Sequence, residues 1–125
     1  MTCIFCHQLK EEDILYQTEH FKVVLDIDPI QTGHLLIICK DHYQQLSQLP
    51  TALRYELSDL EVFLTEKLCQ TLAIDGVTIA CKDCLFDAGT HFHVHLIPRL
   101  KTDGFWDQIS LAQVQLDLNA FLKAL

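Results

Sequence analysis

His91-Phe92-His93-Val94-His95-Leu96-Ile97 decides how this chain folds. Imidazoles and apolar side chains alternate with period two, the period of a β-strand. The spacing predicts a strand with three imidazoles on one side and Phe92, Val94 and Leu96 on the other. One side belongs to a core and the other to chemistry, because three imidazoles are costly to bury without partners. Residues two apart on a strand lie about 7 Å apart, so the outer pair is separated by roughly 13 Å. A zinc ion sits only about 2 Å from a ligating nitrogen. A straight strand therefore cannot bring all three rings to one ion, and the row is expected to divide among different partners.

The segments before this strand read as its neighbours in a sheet. Ile14 to Thr18 and Phe21 to Ile27 have the β-branched and apolar content of strands, joined tightly near Glu19-His20 and closed by the Asp28-Pro29 turn. Gly33 precedes a third strand, His34 to Cys39, whose centre Leu35-Leu36-Ile37-Ile38 is apolar on both faces and so reads as covered on both. From Thr51 to Ile74, Leu53, Leu57, Leu60, Leu64, Leu68 and Leu72 recur at helical spacing, after Pro50 and before Asp75-Gly76. Val77 to Ala80 predicts a fourth strand, and Pro98 is expected to end the fifth. Ser110-Leu111-Ala112-Gln113 has the form of a capping box, predicting a final helix with Leu111, Val114, Leu118, Leu122 and Leu125 on one face. The expected fold is α+β: an antiparallel sheet of about five strands, one long helix and a C-terminal helix.

Composition bounds the partners. The 125 residues make one domain, residues 1–125, with room for one core. Nine basic against 17 acidic side chains give a net charge of −8, which argues against nucleic acid and anionic membrane surfaces. No run approaches the roughly 18 apolar residues of a membrane span. The start Met1-Thr2-Cys3-Ile4-Phe5-Cys6 has no export pattern, and six cysteines without one predict reduced thiols and a cytoplasmic protein.

Several residues carry candidate chemistry. A neutral imidazole offers a lone pair near neutrality, so His93, central in the row, is the candidate nucleophile toward phosphorus. It needs an acceptor on its other ring nitrogen, and a backbone carbonyl would serve. His95 would donate to phosphate oxygens or to the leaving group. Gly89 and Thr90, in the loop Asp87-Ala88-Gly89-Thr90, are candidate phosphate-side residues, since a glycine admits close backbone approach. Cys3, Cys6, His42 and His91 could make a tetrahedral zinc set, with Cys81 and Cys84 as rival ligands. Asp26 reads either as a turn carboxylate or as an acceptor for ribose hydroxyls.

These residues together resemble the histidine triad (HIT) family of nucleotide hydrolases and transferases. His91 to Ile97 matches its H-φ-H-φ-H-φ-φ motif, continuing into Pro98-Arg99. Cys3-Ile4-Phe5-Cys6 resembles the start of zinc-bearing members, and Asp26 to Ile38 resembles the nucleoside-holding strand-turn-strand. The resemblance implies a HIT-like fold, His93 as the residue forming a nucleotidyl intermediate, and His95 at the α-phosphate. It implies Asp26 at the ribose, with Phe5, Leu25 and Ile27 near the base. It also implies structural zinc on Cys3, Cys6, His42 and His91, and a homodimer through the long helix and the fourth strand. The implied activity releases nucleoside monophosphate from dinucleoside polyphosphates or nucleoside phosphoramidates. Two departures stand out: Lys82-Asp83 and Asp87 to Thr90 occupy positions where many members carry Asn and Gly-Gln. A non-catalytic nucleotide-binding adaptor and a cupin-like metal-dependent enzyme are the alternatives.

Overall fold

The computed structural model describes residues 2–85 and 88–125. Five strands form one antiparallel sheet: β1 (Ile14–Gln17), β2 (Phe21–Leu25), β3 (Leu35–Cys39), β4 (Gly76–Ala80) and β5 (His93–Arg99). Their spatial order is β1-β2-β3-β5-β4. The helices are α1 (Ile4–His7), α2 (Thr51–Thr71), α3 (Phe105–Gln108) and α4 (Asn119–Ala124). The α+β class and the single sheet expected from the sequence are what the chain adopts.

Residue parity assigns the two faces of the sheet. Phe21, Val23, Leu35, Ile37, Val94 and Leu96 pack with Phe92 against Leu53, Leu57, Leu60, Leu64 and Leu68 of α2. The helix thus buries its leucine stripe on one sheet face, each fully covered leucine contributing roughly 1.5–3 kcal/mol. The opposite parity, Val24, Leu36 and Ile38, forms a second cluster under Phe5, Leu9 and Ile14. Every residue of β3 is buried, as its doubly apolar sequence predicts. On this second face Leu36 is the register partner of His95, and Ile38 of His93. The site is therefore built on the face that α2 leaves open.

The larger departures from the expected boundaries lie at three places. Pro98 does not end the strand: it pairs with Val77 and β5 runs on to Arg99. Pairing of β3 with β5 stops at Leu96, so a residue lacking an N–H sits beside an open edge there. Arg99 then closes the strand, donating through Nε and Nη2 to Asp103 (2.6 and 2.8 Å) and through Nη1 to Thr78. Helix α2 ends at Thr71, and Leu72, its expected last buried leucine, is 40% exposed. The C-terminal helix does not begin at Ser110: residues 109–118 have no regular structure, and only Asn119–Ala124 are helical. Leu111, Val114, Leu118, Leu122 and Leu125 are all exposed. An amphipathic stripe with nothing to pack against gains too little to offset helix nucleation.

Candidate functional site

The three imidazoles of the row have three different sets of partners. His91 and Phe92 lie just before β5, joined to the segment after β3 by Cys39 N–H donating to the Phe92 carbonyl and Phe92 N–H to the Tyr43 carbonyl. His91 is buried, and its Nε2–H donates to the carbonyl of Cys39. That bond fixes the tautomer and leaves Nδ1 with its lone pair, aimed at Cys3 Sγ (3.2 Å) and Cys6 Sγ (3.5 Å). Cys6 Sγ also meets His42 Nδ1 at 3.3 Å. The four donor atoms lie within 4.8 Å of one another.

This cluster fits a tetrahedral metal. With metal–sulfur bonds near 2.3 Å and metal–nitrogen bonds near 2.05 Å, a tetrahedron has S···N edges of about 3.5 Å. The three S···N separations fall at or just under that length. The Nε2 of His91 is held too, donating to the Cys39 carbonyl, the outer contact that ligating histidines ordinarily have. Burial and the neighbouring Cys3 push the Cys6 thiol up, a penalty that a divalent cation would reverse. The rival ligands Cys81 and Cys84 are exposed and are not among these donors.

His93 is half-buried on β5, and its Nδ1 lies 2.7 Å from the carbonyl of His91. The carbonyl can only accept, so Nδ1 carries the proton and Nε2 the lone pair. Edge contacts from Phe5 (ring centroids 5.0 Å apart) and from His95 (5.0 Å) hold the ring in place. A neutral imidazole with one nitrogen pinned and the other basic is set up for nucleophilic attack.

His95 is organised by a residue that the sequence reading missed. His34 is 2% exposed, and its Nδ1 accepts the N–H of Ile30 at 3.1 Å. Its Nε2 must then carry the proton, which points at His95 Nδ1 (2.9 Å), with Asp26 Oδ2 farther off at 3.4 Å. His95 consequently accepts on Nδ1 and presents Nε2–H as a donor. Burial lowers the His95 pKa, and His93 and His34 add to the effect, so a neutral donor is favoured. Parity was the available signal: His34 shares it with Leu36 and Ile38, on the face of His93 and His95.

Asp26, His34 and His95 also bring three ligand-type atoms together. They do not suit a metal, because the Ile30 N–H occupies Nδ1 of His34 and a proton occupies Nε2. The cupin-like alternative loses its metal centre on this ground, and a single five-stranded sheet under one long helix is not its architecture.

Beside this row lies an open cleft of about 590 Å³, lined by Ile4, Phe5, Leu25, Asp26, Ile27 and Leu36 among others. Its size suits a small organic ligand. The expected base-side residues Phe5, Leu25 and Ile27 share it with Asp26. Both readings of Asp26 have a counterpart: Oδ1 accepts the N–H of Asp28 (2.9 Å) in the turn, while Oδ2 faces the site. Thr90 lines a separate small cavity with Gln44, Lys82, His91 and His93. Gly89, at φ +85°, uses its carbonyl to accept the N–H of Ile4 (2.7 Å), which ties α1 to the loop. Asp87 lies outside the described residues.

Comparison with known proteins agrees with this geometry. The sequence profile of the HIT domain matches residues 8–102. An uncharacterized HIT-like protein of Methanocaldococcus jannaschii is 32% identical over 97% of this chain and 96% of its own. An adenylylsulfatase of Arabidopsis thaliana is 27% identical over 94% of this chain and 62% of that longer protein. Among solved structures, a zinc-bound histidine triad family protein from Mycobacterium smegmatis superposes with a TM-score of 0.72 at 28% identity, covering 91% of this chain and 84% of that one.

Proposed function

This chain belongs to the HIT domain family, and on that premise we propose that it is a nucleotide hydrolase acting through His93. Its substrates are nucleoside monophosphates joined through the α-phosphorus to a second group, as in dinucleoside polyphosphates or nucleoside phosphoramidates. The observation that carries this reading is the hydrogen bond from His93 Nδ1–H to the His91 carbonyl, which leaves Nε2 unprotonated. His93 Nε2 attacks the α-phosphorus in line; the N–P bond forms as the bond to the leaving group breaks, and that group departs with the electron pair. The Nε2–H of His95 donates to an oxygen on phosphorus, where charge accumulates. Water then attacks the adduct: a P–O bond forms as the N–P bond breaks, the N–P electron pair returns to Nε2, and the proton lost by the water passes to solvent. Asp26 accepts from the ribose hydroxyls, Phe5, Leu25 and Ile27 hold the base, and Gly89 and Thr90 lie on the phosphate side.

Zinc on Cys3, Cys6, His42 and His91 is structural in this reading. Four protein donors complete its shell, so it offers no open position to water or phosphate. Support comes from the S···N spacing and from the zinc-bound relative. No helix among the described residues is long and apolar enough to cross a membrane, and the six free thiols support a cytoplasmic setting.

The test is direct. Incubation with a panel of adenylylated compounds, acid quenching at short times and peptide mapping by mass spectrometry are expected to find an adenylyl group on His93. An adduct on another residue, or turnover with no adduct at any time, would overturn the covalent course. A non-catalytic adaptor would bind adenosine monophosphate yet leave the whole panel intact.

The homodimer belongs to the same reading. Strand β4 is an edge of the sheet, and an open edge is a template for another chain. Tyr55 and Val62 of α2 are exposed, as is the C-terminal apolar stripe. Light scattering is expected to give twice the chain mass of 14.4 kDa, and a monomer mass at micromolar concentration would reject the dimer.

A further inference from the structure

The pairing of β4 with β5 ends two residues short of a residue with no role so far. Gly76 pairs with Arg99, and successive pairs run to Ala80 with His95. Extending that antiparallel register by two residues sets Lys82 opposite His93, and register partners share a face of the sheet. The side chains agree, since Lys82, Thr90, His91 and His93 line one small cavity. The loop is anchored at the next residue, where Asp83 Oδ1 accepts the N–H of Leu46 at 2.7 Å. Lys82 is therefore held beside the candidate nucleophile, within reach of groups attached to the phosphorus it attacks.

The cleft and the small cavity differ in the sign of the charge that lines them. The 590 Å³ cleft has the lining carboxylates Glu12, Asp13 and Asp26. Phe5 of that cleft touches the His93 ring. In the small cavity Lys82 is the one cation among the described lining residues other than the histidines. The chain as a whole carries −8, so an anionic substrate has no general attraction to this surface. A nucleotide with its nucleoside in the cleft and its phosphorus at His93 would place the groups around that phosphorus in the field of Lys82.

We propose that Lys82 selects for a negatively charged leaving group, so that the preferred substrates are anhydrides in which phosphate, pyrophosphate or sulfate departs from the α-phosphorus. The inference rests on the hydrolase reading and deepens it. As the His93–P bond forms, the P–O bond breaks and the departing oxyanion takes the electron pair. An oxyanion of low basicity needs no proton to leave, and a fixed positive charge is what stabilises it. An amine leaving group needs a proton instead, and a fixed charge does not supply one. Lys82 is a specificity-determining residue in this scheme, distinct from the nucleophile His93 and the donor His95.

The test compares two substrates differing only in the departing group: adenosine 5′-phosphosulfate and adenosine 5′-phosphoramidate. For Lys82→Met, the ratio of kcat/KM for phosphosulfate over phosphoramidate is expected to fall about tenfold, as loss of one nearby charge at a solvated site implies. Lys82→Arg is expected to hold the ratio within about threefold of the unaltered protein, because the charge stays. An unchanged ratio, with both substrates slowed equally or neither slowed, overturns the inference and leaves the hydrolase reading standing. If the unaltered protein turns over neither substrate nor any dinucleoside polyphosphate, the hydrolase reading itself fails and takes the inference with it.

Discussion

Replacing His93 by alanine is expected to abolish turnover, with kcat falling by about 10⁴-fold or more, the scale on which removal of a covalent nucleophile acts. No other side chain of the site can take over. The lone pair of His91 Nδ1 points into the thiol cluster, and His95 Nδ1 receives the His34 proton, leaving Nε2–H as a donor. The fold should survive, because His93 sits on the half-open face of β5 and its core neighbours are the opposite-parity residues Val94 and Leu96. Nucleotide binding should survive as well, since Phe5, Leu25, Asp26 and Ile27 line the cleft without it. The expected signature is therefore loss of turnover and of the covalent adduct, with circular dichroism and affinity for adenosine monophosphate nearly unchanged. Turnover within tenfold of the unaltered protein would end the nucleophile assignment.

Period-two alternation over residues 91–97 was enough to read the division of the sheet into a packed face and a chemical face. It was also enough to predict that the imidazoles would not share one ion. What alternation could not supply was partners across strands. His34 is only the first residue of the expected third strand, and the β3–β5 register is what makes it the neighbour of His95. Helix α1 was equally hidden, because four residues are fewer than the window in which a helical period can be seen. The C-terminal stripe failed differently. Its helical period is real in the sequence, but a helix of that length needs a surface to pack on, and the stripe stays exposed among the described residues. Local pattern specified the elements wherever the chain supplied both partners of a contact.

The second large effect concerns the Cys3, Cys6, His42 and His91 cluster. Protein purified without chelator is expected to carry one zinc per chain, and stripping it should lower the unfolding midpoint by roughly 10 °C or more. The size follows from what the cluster joins. It ties α1, the segment after β3 and the start of β5 into one point, and Ile4 N–H to Gly89 O is the other α1 anchor among the backbone bonds outside helices and strands. Without a cation, only thiol–imidazole contacts would hold these segments together. Loss of the metal should then loosen α1, which carries Phe5 into both the nucleotide cleft and the edge contact on His93. KM is accordingly expected to rise more than kcat falls, and Cys6→Ser should reproduce both effects in part. A catalytic metal would behave in the opposite way, with chelation removing activity at once while the midpoint stays fixed. That result, or zinc-free protein with an unchanged midpoint, would reject the structural assignment, because four ligands from three parts of the chain cannot be released without cost to the fold.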